Sequence, residues 1–444
     1  MKKVLIISYY WPPAGGPGSQ RAVKFAKYLP LFGWQPLIFT VKKGEYSYWD
    51  PSLETDIHPD LKVFKSASFE PFQLFKKLSG LDSSARLPVG HLTQSNQSLK
   101  NKIFNWIRAN IFIPDARIGW LPSAVLKLNR LIKQEQIHLI FTTSPPHSLQ
   151  LIGRHLKKKY QLPWVADFRD PWTDIQYYQV FKRSKFAQKI DRALEKSVLL
   201  TSDHLTTVSQ TVSEGFIRKV SDANLQKKIA ILPNGFDPED FPVQSSKTGG
   251  YFTILHTGNL NATQNPENFW KSIRAILESD PSLRQSIRIK LIGNAAKDIQ
   301  QAVLRNQLQE IVEFQSFIPH SEIVKQVQQA DLLLSVIPNV PDNKGIVLSK
   351  NFEYIGSGKP ILIIGPVDSD IAKIIRSFSN SKTCGYQDAA GCSSFIRQTL
   401  QYWQSGNIQL ISPADREKFS RSHLTRELAG IFDRLHSEFS KSKS

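Results

Sequence analysis

Among the residues of this 444-residue chain that could do chemistry, the densest run is Leu348-Ser349-Lys350-Asn351-Phe352-Glu353-Tyr354-Ile355-Gly356-Ser357-Gly358-Lys359-Pro360, leading into Ile361-Leu362-Ile363-Ile364. A helix beginning near Ser349 aims Lys350 and Glu353, three apart, at one mouth and turns Phe352 and Ile355 to the core. An ammonium that can neutralise phosphate beside a carboxylate that can accept ribose hydroxyls suits a nucleotide; the plainer alternative is a surface ion pair. A second run, Pro163-Trp164-Val165-Ala166-Asp167-Phe168-Arg169-Asp170-Pro171-Trp172, places three charged side chains just past the carboxyl end of a buried strand. Open α/β sheets bind ligands at that edge. Asp167, Arg169 and Asp170 could hold sugar hydroxyls or stabilise a cation-like transition state, or they could form a structural pair that pins the loop.

Three shorter elements point the same way. His256-Thr257-Gly258-Asn259 directly follows another apolar run, and its glycine would let backbone approach a ligand. Asn234-Gly235 lies near the best linker in the chain. Gly15-Gly16-Pro17-Gly18 precedes a helix N-terminus, where backbone N–H groups favour an anion; it is either a phosphate site or a simple tight turn. Neither a dinucleotide fingerprint nor a P-loop is present.

Alternating strands and helices must position these residues. Apolar runs at Val4–Ile7, Leu37–Phe39, Leu139–Phe141, Trp164–Ala166 and Leu205–Val208 read as buried parallel strands. Helical patterns separate them, including one capped by Ser19 and running through Phe32, and others over Leu149–Tyr160 and Phe186–Leu200. The pattern restarts after residue 235 with Phe252–Leu255, Ile289–Ile292, Ile311–Phe314, Leu332–Leu334 and Ile361–Ile364. The fold class is therefore α/β, with two parallel-sheet domains: residues 1–235, residues 236–412, and a helical segment 413–444 free to cross back to the first. Its apolar face is Phe419, Leu424, Leu428, Ile431, Phe432 and Leu435.

Taken together, these motifs resemble the retaining nucleotide-sugar glycosyltransferases of family four. The resemblance runs in order from Gly15-Gly16 through Asp167–Trp172, Pro233-Asn234-Gly235-Phe236-Asp237 and His256-Thr257-Gly258 to Phe352–Pro360. It implies two Rossmann-like domains facing across a cleft, the GT-B fold. It also implies a transferase of hexosyl type that needs no cofactor beyond the nucleotide-diphosphate sugar itself. Metal independence is expected on a separate ground, the reading that no Asp-x-Asp element is present to hold a cation against the diphosphate, which leaves basic and backbone donors to stabilise the leaving nucleotide. Gly15, Gly16, Asn234, Gly258, Asn259, Ser349, Lys350 and Glu353 would hold the donor, Glu353 at its ribose and Lys350 at its diphosphate. Asp167, Arg169 and Asp170 would be catalytic. The chain departs from the family in three places. The first of its two spaced glutamates falls on Gly345. The diphosphate-gripping Arg and Lys are missing from Asn259–Phe269, which leaves that task to Lys350. Arg169 and Asp170 stand where many members have a histidine.

Charge distribution suggests the other partner. Residues 1–235 hold 34 Lys+Arg against 17 Asp+Glu, whereas residues 236–444 hold 23 against 21. An acceptor glycan carried on a lipid diphosphate, at an anionic membrane surface, would need a basic first domain. Residues 69–120 mix Lys76, Lys77, Lys100, Lys102 and Arg108 with Phe72, Phe75, Phe104, Trp106 and Phe112, a composition suited either to resting on that surface or to packing as an ordinary insertion. No nucleic-acid recognition motif is evident. With no apolar run near the roughly 18–20 residues of a membrane span, no secretory leader, and only Cys384 and Cys392, the expected location is the cytosol, peripheral on the inner face of the cell membrane. Cell-surface polysaccharide synthesis is the expected role. A nucleotide-sugar epimerase and a non-catalytic glycan- or membrane-binding GT-B subunit are the alternatives.

Overall fold

The central apolar runs, such as Val4–Ile7, Leu139–Phe141, Leu332–Leu334 and Ile361–Ile364, become strands buried on both faces, as parallel pairing with helical crossovers requires, whereas the run ending at Phe314 forms a partly exposed edge strand. The computed structural model describes residues 1–46, 49–69, 106–175, 183–220, 222–241 and 250–441. These form two units, Met1–Pro233 with Thr425–Ser444, and Asn234–Leu424.

In the first unit β1 (Lys2–Ser8), β2 (Trp34–Val41), β3 (Val63–Ser66), β4 (Leu139–Ser144), β5 (Trp164–Phe168), β6 (His204–Thr207) and β7 (Ile229–Ile231) form a seven-stranded sheet in the order 3-2-1-4-5-6-7. Every pairing is parallel, with β1 central: Leu5 stands opposite Leu37 of β2 and opposite Ile140 of β4. The second unit repeats the plan. Here β8 (Phe252–Thr257), β9 (Ile287–Ile292), β10 (Val312–Gln315), β11 (Leu332–Val336), β12 (Ile361–Ile364) and β13 (Lys382–Cys384) run 10-9-8-11-12-13. In both sheets the order reverses beside the first strand, between β1 and β4 and between β8 and β11. Ligand crevices of doubly wound sheets open at such reversals, at the carboxyl ends of the strands.

Local details differ from the sequence reading for physical reasons. The first helix is Pro17–Tyr28, entered through Gly16 with Pro17 in the first turn, so Ser19 lies inside it rather than capping it. Two short strands, β3 and β13, carry too few residues to show a period. The expected C-terminal helix is broken into Pro413–Glu417 and Arg421–Lys441. At the break Phe419 accepts from Phe236 N at 3.1 Å, and Phe236 accepts from Arg421 N at 2.8 Å. Beyond it, Phe432 packs edge-on against Trp34 at 5.3 Å and Phe141 at 5.7 Å, and Asp433 accepts from the Trp34 indole at 3.0 Å.

Most of the basic, aromatic segment expected over 69–120, including Phe72, Phe75, Lys76, Lys77, Lys100, Lys102 and Phe104, lies outside the described residues. Of the rest, Trp106 and Ile111 are exposed. Trp120 is core: it stacks on Phe39 at 5.8 Å and donates to Ser66 Oγ at 2.9 Å.

Candidate functional site

In the second unit the site is assembled at the carboxyl end of β8. His256 is fully buried there, its Nδ1 donating to the Leu334 carbonyl at 2.9 Å, which leaves Nε2 to accept from Lys350 Nζ at 3.1 Å. Burial and the neighbouring lysine hold the His256 imidazole well below its ordinary pKa, so it stays neutral. Burial also pushes Lys350 down to about 7, opposed by the charge of Glu353. Lys350 is thus a cation whose charge is set by what approaches it.

Backbone conformation opens the space beside it. Gly258 has φ +91°, a region that L side chains rarely adopt, and a Cβ there would stand 3.1 Å from Lys350 Nζ. Thr257 is locked behind it by the Tyr354 hydroxyl, which accepts from Thr257 N at 2.9 Å.

Lys350 and Glu353 sit three residues apart on the helix Lys350–Ser357, as expected, with Phe352 and Ile355 buried, and Tyr354, one turn on from Lys350, buried against the end of β8. Glu353 Oε1 is 3.1 Å from His320 Nε2, at the first turn of the helix His320–Gln329. Sequence reading missed His320, because nothing near Pro319-His320 marks it until β10 and β11 bring its helix beside Glu353. Asn234 and Ser349 meet, Asn234 Nδ2 donating to Ser349 Oγ at 3.0 Å. Asn259 Oδ1 accepts from Asn294 N at 3.1 Å, tying two loops at the same edge. Gly345 closes a single 3₁₀ turn, Asn343–Gly345.

The other candidates belong to the first unit. Gly16 has φ +86°, and Gly18 admits the Arg169 guanidinium, whose Nη1 would lie 2.3 Å from any Cβ at that position. Arg169 donates to the carbonyls of Ser144 at 3.1 Å and Pro145 at 2.9 Å. Asp170 beside it is pushed up by burial against the pull of Arg169. The loop is braced from below, with Trp172 donating to Asp191 at 2.8 Å and the Thr173 hydroxyl to Glu195 at 2.6 Å. Burial pushes Asp191 up to about 6, against the pull of Arg183. His147 stacks on Trp172 at 5.2 Å. These anchors carry no signal in the sequence, since a buried acid on a helix looks like a solvated one until its neighbours are known.

Asp167 corrects the expectation of a cleft-lining acid. It is 0% exposed and accepts from Arg21 Nε at 3.0 Å, Arg21 Nη2 at 2.7 Å, Thr143 at 2.7 Å and Thr206 at 2.6 Å. Burial alone would raise its pKa, but the Arg21 charge and these bonds outweigh it and hold the carboxyl below its ordinary value. The pairing joins β4, β5 and β6 to the first helix, with Arg21 rather than Arg169 as partner.

The expected absence of an Asp-x-Asp element is corrected by the triplet Asp368-Ser369-Asp370. Its carboxylates are engaged by Lys344 and Lys373, and Ser369 caps the helix Asp370–Ile375. Among the described residues no cluster of three His, Cys, Asp or Glu is placed to hold a metal ion, and no helix is long and apolar enough to cross a membrane.

Residues 92–240 match the family model described as Glycosyltransferase Family 4. No curated protein matches the sequence. Among solved structures, sucrose-phosphate synthase from Thermosynechococcus elongatus is 15% identical with a TM-score of 0.62, over 99% of this chain and 100% of that one. HepE of Anabaena, in complex with UDP-glucose, is 14% identical with a TM-score of 0.61, over 98% and 100%. The lipopolysaccharide outer core galactosyltransferase WaaB, in its apo form, is 11% identical with a TM-score of 0.55, over 97% and 99%. At such identities the solved structures speak for the fold alone. The chain therefore has the two-sheet fold of these GT-B structures, and its residues 92–240 are similar to glycosyltransferase family 4.

Proposed function

We propose that this protein is a retaining, metal-independent glycosyltransferase that takes its sugar from a nucleotide diphosphate held by the second unit and delivers it to a lipid-linked glycan in cell-surface polysaccharide synthesis. The observation that carries the reading is the pairing of Lys350 and Glu353 on one helix beside Gly258, at the reversal point of the second sheet. Lys350 meets the diphosphate and Glu353 the ribose hydroxyls. The UDP-glucose in the HepE structure makes UDP-sugars the first donors to try. Titration calorimetry against UDP-, GDP-, ADP- and TDP-sugars tests it. Glu353→Gln is expected to weaken the preferred donor roughly 10- to 100-fold, the worth of a charged hydrogen bond. Unchanged affinity removes the donor from this helix.

His320 extends that prediction. By holding Oε1 of Glu353 it leaves Oε2 to accept from the ribose, a positioning role. His320→Ala should weaken a ribose donor several-fold while barely affecting its 2′-deoxy counterpart, and His320→Gln should restore part of the loss. Equal losses for both sugars would make His320 a packing residue.

Arg169 and Asp170 remain on the proposed catalytic side. Asp170→Asn is expected to lower kcat far more than it raises donor KM, because the interaction would strengthen only in the transition state. A parallel fall in activity and melting temperature would make Asp170 structural.

The first unit carries the basic excess, and that excess supports reversible attachment to anionic membranes. Sedimentation with phosphatidylglycerol vesicles at low and high salt checks this. Wild type should bind at low salt, and Lys100/Lys102/Arg108→Glu should not. The competing reading, a subunit without catalysis, is favoured by Gly345 and would show donor binding with neither hydrolysis nor transfer.

A further inference from the structure

The first unit contains a cavity of about 380 Å³ at the carboxyl ends of β2 and β3, bounded on one side by the loop after β1. Its walls combine two chemistries. Lys42, Lys43 and Lys65 supply three exposed ammonium groups, none in an ion pair among the described residues. Trp11, Tyr46 and Trp49 supply aromatic faces: Trp11 is buried, whereas Trp49 is 52% exposed and meets Tyr46 edge-on at 5.9 Å. An open indole face thus stands in the same cavity wall as lysines that no carboxylate pairs among the described residues.

Ala14 and Trp49 form an antiparallel bridge, and Asp50 N donates to the Pro13 carbonyl at 3.0 Å, so the loops after β1 and β2 are tied together by backbone. Of the neighbouring acids, Glu45 pairs with Arg117 at 3.1 Å and Asp50 accepts from Ser52 N at 3.1 Å, and neither pairs with the three lysines among the described residues. The three lysines outnumber the one acid left without a cation, and the cavity keeps a net positive field.

We infer that this cavity binds the phosphate-bearing end of the acceptor, a sugar linked to phosphate or diphosphate, with the lysines on the phosphate and the exposed indole face against the sugar ring. Apolar C–H faces of a pyranose stack on aromatic rings, and ammonium groups take phosphate as point charges. The inference rests on the reading of the first unit as the acceptor side, but its test does not require transfer. The same chemistry could arrive on a lipid carrier or as a free sugar phosphate, and the probes separate these.

Binding of glucose 1-phosphate, N-acetylglucosamine 1-phosphate, a farnesyl-diphosphate-linked N-acetylglucosamine and inorganic phosphate is measured by calorimetry on the full chain. The wild type is compared with Lys42→Glu/Lys43→Glu/Lys65→Glu, with Lys65→Glu alone and with Trp49→Ala. The inference expects at least one sugar phosphate to bind more tightly than inorganic phosphate. It also expects a loss of about tenfold or more in the triple variant, a smaller loss in Lys65→Glu, and a several-fold loss in Trp49→Ala that inorganic phosphate does not share. Donor affinity and melting temperature should not change, which separates this site from the donor helix. Tighter binding of the farnesyl compound identifies a lipid-borne acceptor, and equal binding a soluble one. If no sugar phosphate binds, if the triple variant binds as wild type does, or if inorganic phosphate binds as tightly and Trp49→Ala has no effect, the inference is overturned.

Discussion

Asp167→Ala is expected to destabilise the first unit by about 3–5 kcal/mol, the usual result of removing one partner from a buried ion pair. The reason lies in what is left behind. Arg21 is as fully buried as Asp167, and without the carboxylate its charge keeps the carbonyls of Leu232 and Pro233, each at 2.9 Å, and the Phe25 ring at 4.9 Å, with no anion to pair it. Thr143 and Thr206 lose an acceptor in the same step. Arg21→Met/Asp167→Ala should recover a large part of the loss, since no buried charge then remains unpaired. The pH dependence follows from the depressed pKa of Asp167. The pair's contribution is fully present above the ordinary aspartate value of about 3.9 and is lost as pH falls through the lower folded value. Urea unfolding of the three proteins at pH 7 measures the effect. A cost below about 1 kcal/mol would count against the pair as a structural element. A stable Asp167→Asn protein without transfer activity would return Asp167 to the catalytic residues.

Lys350→Met should weaken donor binding at pH 6 by about 1.5–3 kcal/mol, roughly 10- to 150-fold. A second consequence separates Lys350 from any other phosphate contact. Its pKa in the free protein is about 7, and a bound diphosphate favours the charged form, so binding takes up a proton wherever the free lysine is neutral. The charged fraction falls from about nine-tenths at pH 6 to about one-tenth at pH 8, so donor affinity should drop about tenfold over that interval. A nucleotide-sugar is the right probe, because its diphosphate does not titrate there. His256 is held neutral and fixed to Leu334, and contributes no titration of its own across this range. In Lys350→Met the slope should vanish. A tenfold pH effect that persists in the variant would place the titrating group elsewhere.

Much of this was legible along the chain. Continuous apolar runs such as Val4–Ile7 and Ile361–Ile364 have to be buried on both faces, and their alternation with helices leaves parallel sheets as the arrangement that buries them. The spacing of Lys350 and Glu353 also needed no structure, because three residues on a helix share a side whatever surrounds them. Gly258 was readable for the same local reason: a glycine just past a strand end marks backbone that L side chains resist.

What the tertiary structure decided was partnership. Asp167 and Arg169 are two residues apart, which within one strand would put them on the same face, but β5 ends at Phe168 and Arg169 belongs to the loop beyond it. Asp167 meets Arg21 from the first helix, 146 residues earlier, while Arg169 turns to the carbonyls after β4. Glu353 meets His320 and Lys350 meets His256 only because β8 and β11 bring distant segments to one edge. The return of residues 425–444 to the first unit depends on Phe432 reaching Trp34 and Phe141, contacts across several hundred residues. Sequence alone determines which residues must be buried and which backbone must bend, because both are local properties. Whether a buried charge is a pillar or a tool depends on the neighbour that folding supplies, and no local spacing encodes that neighbour.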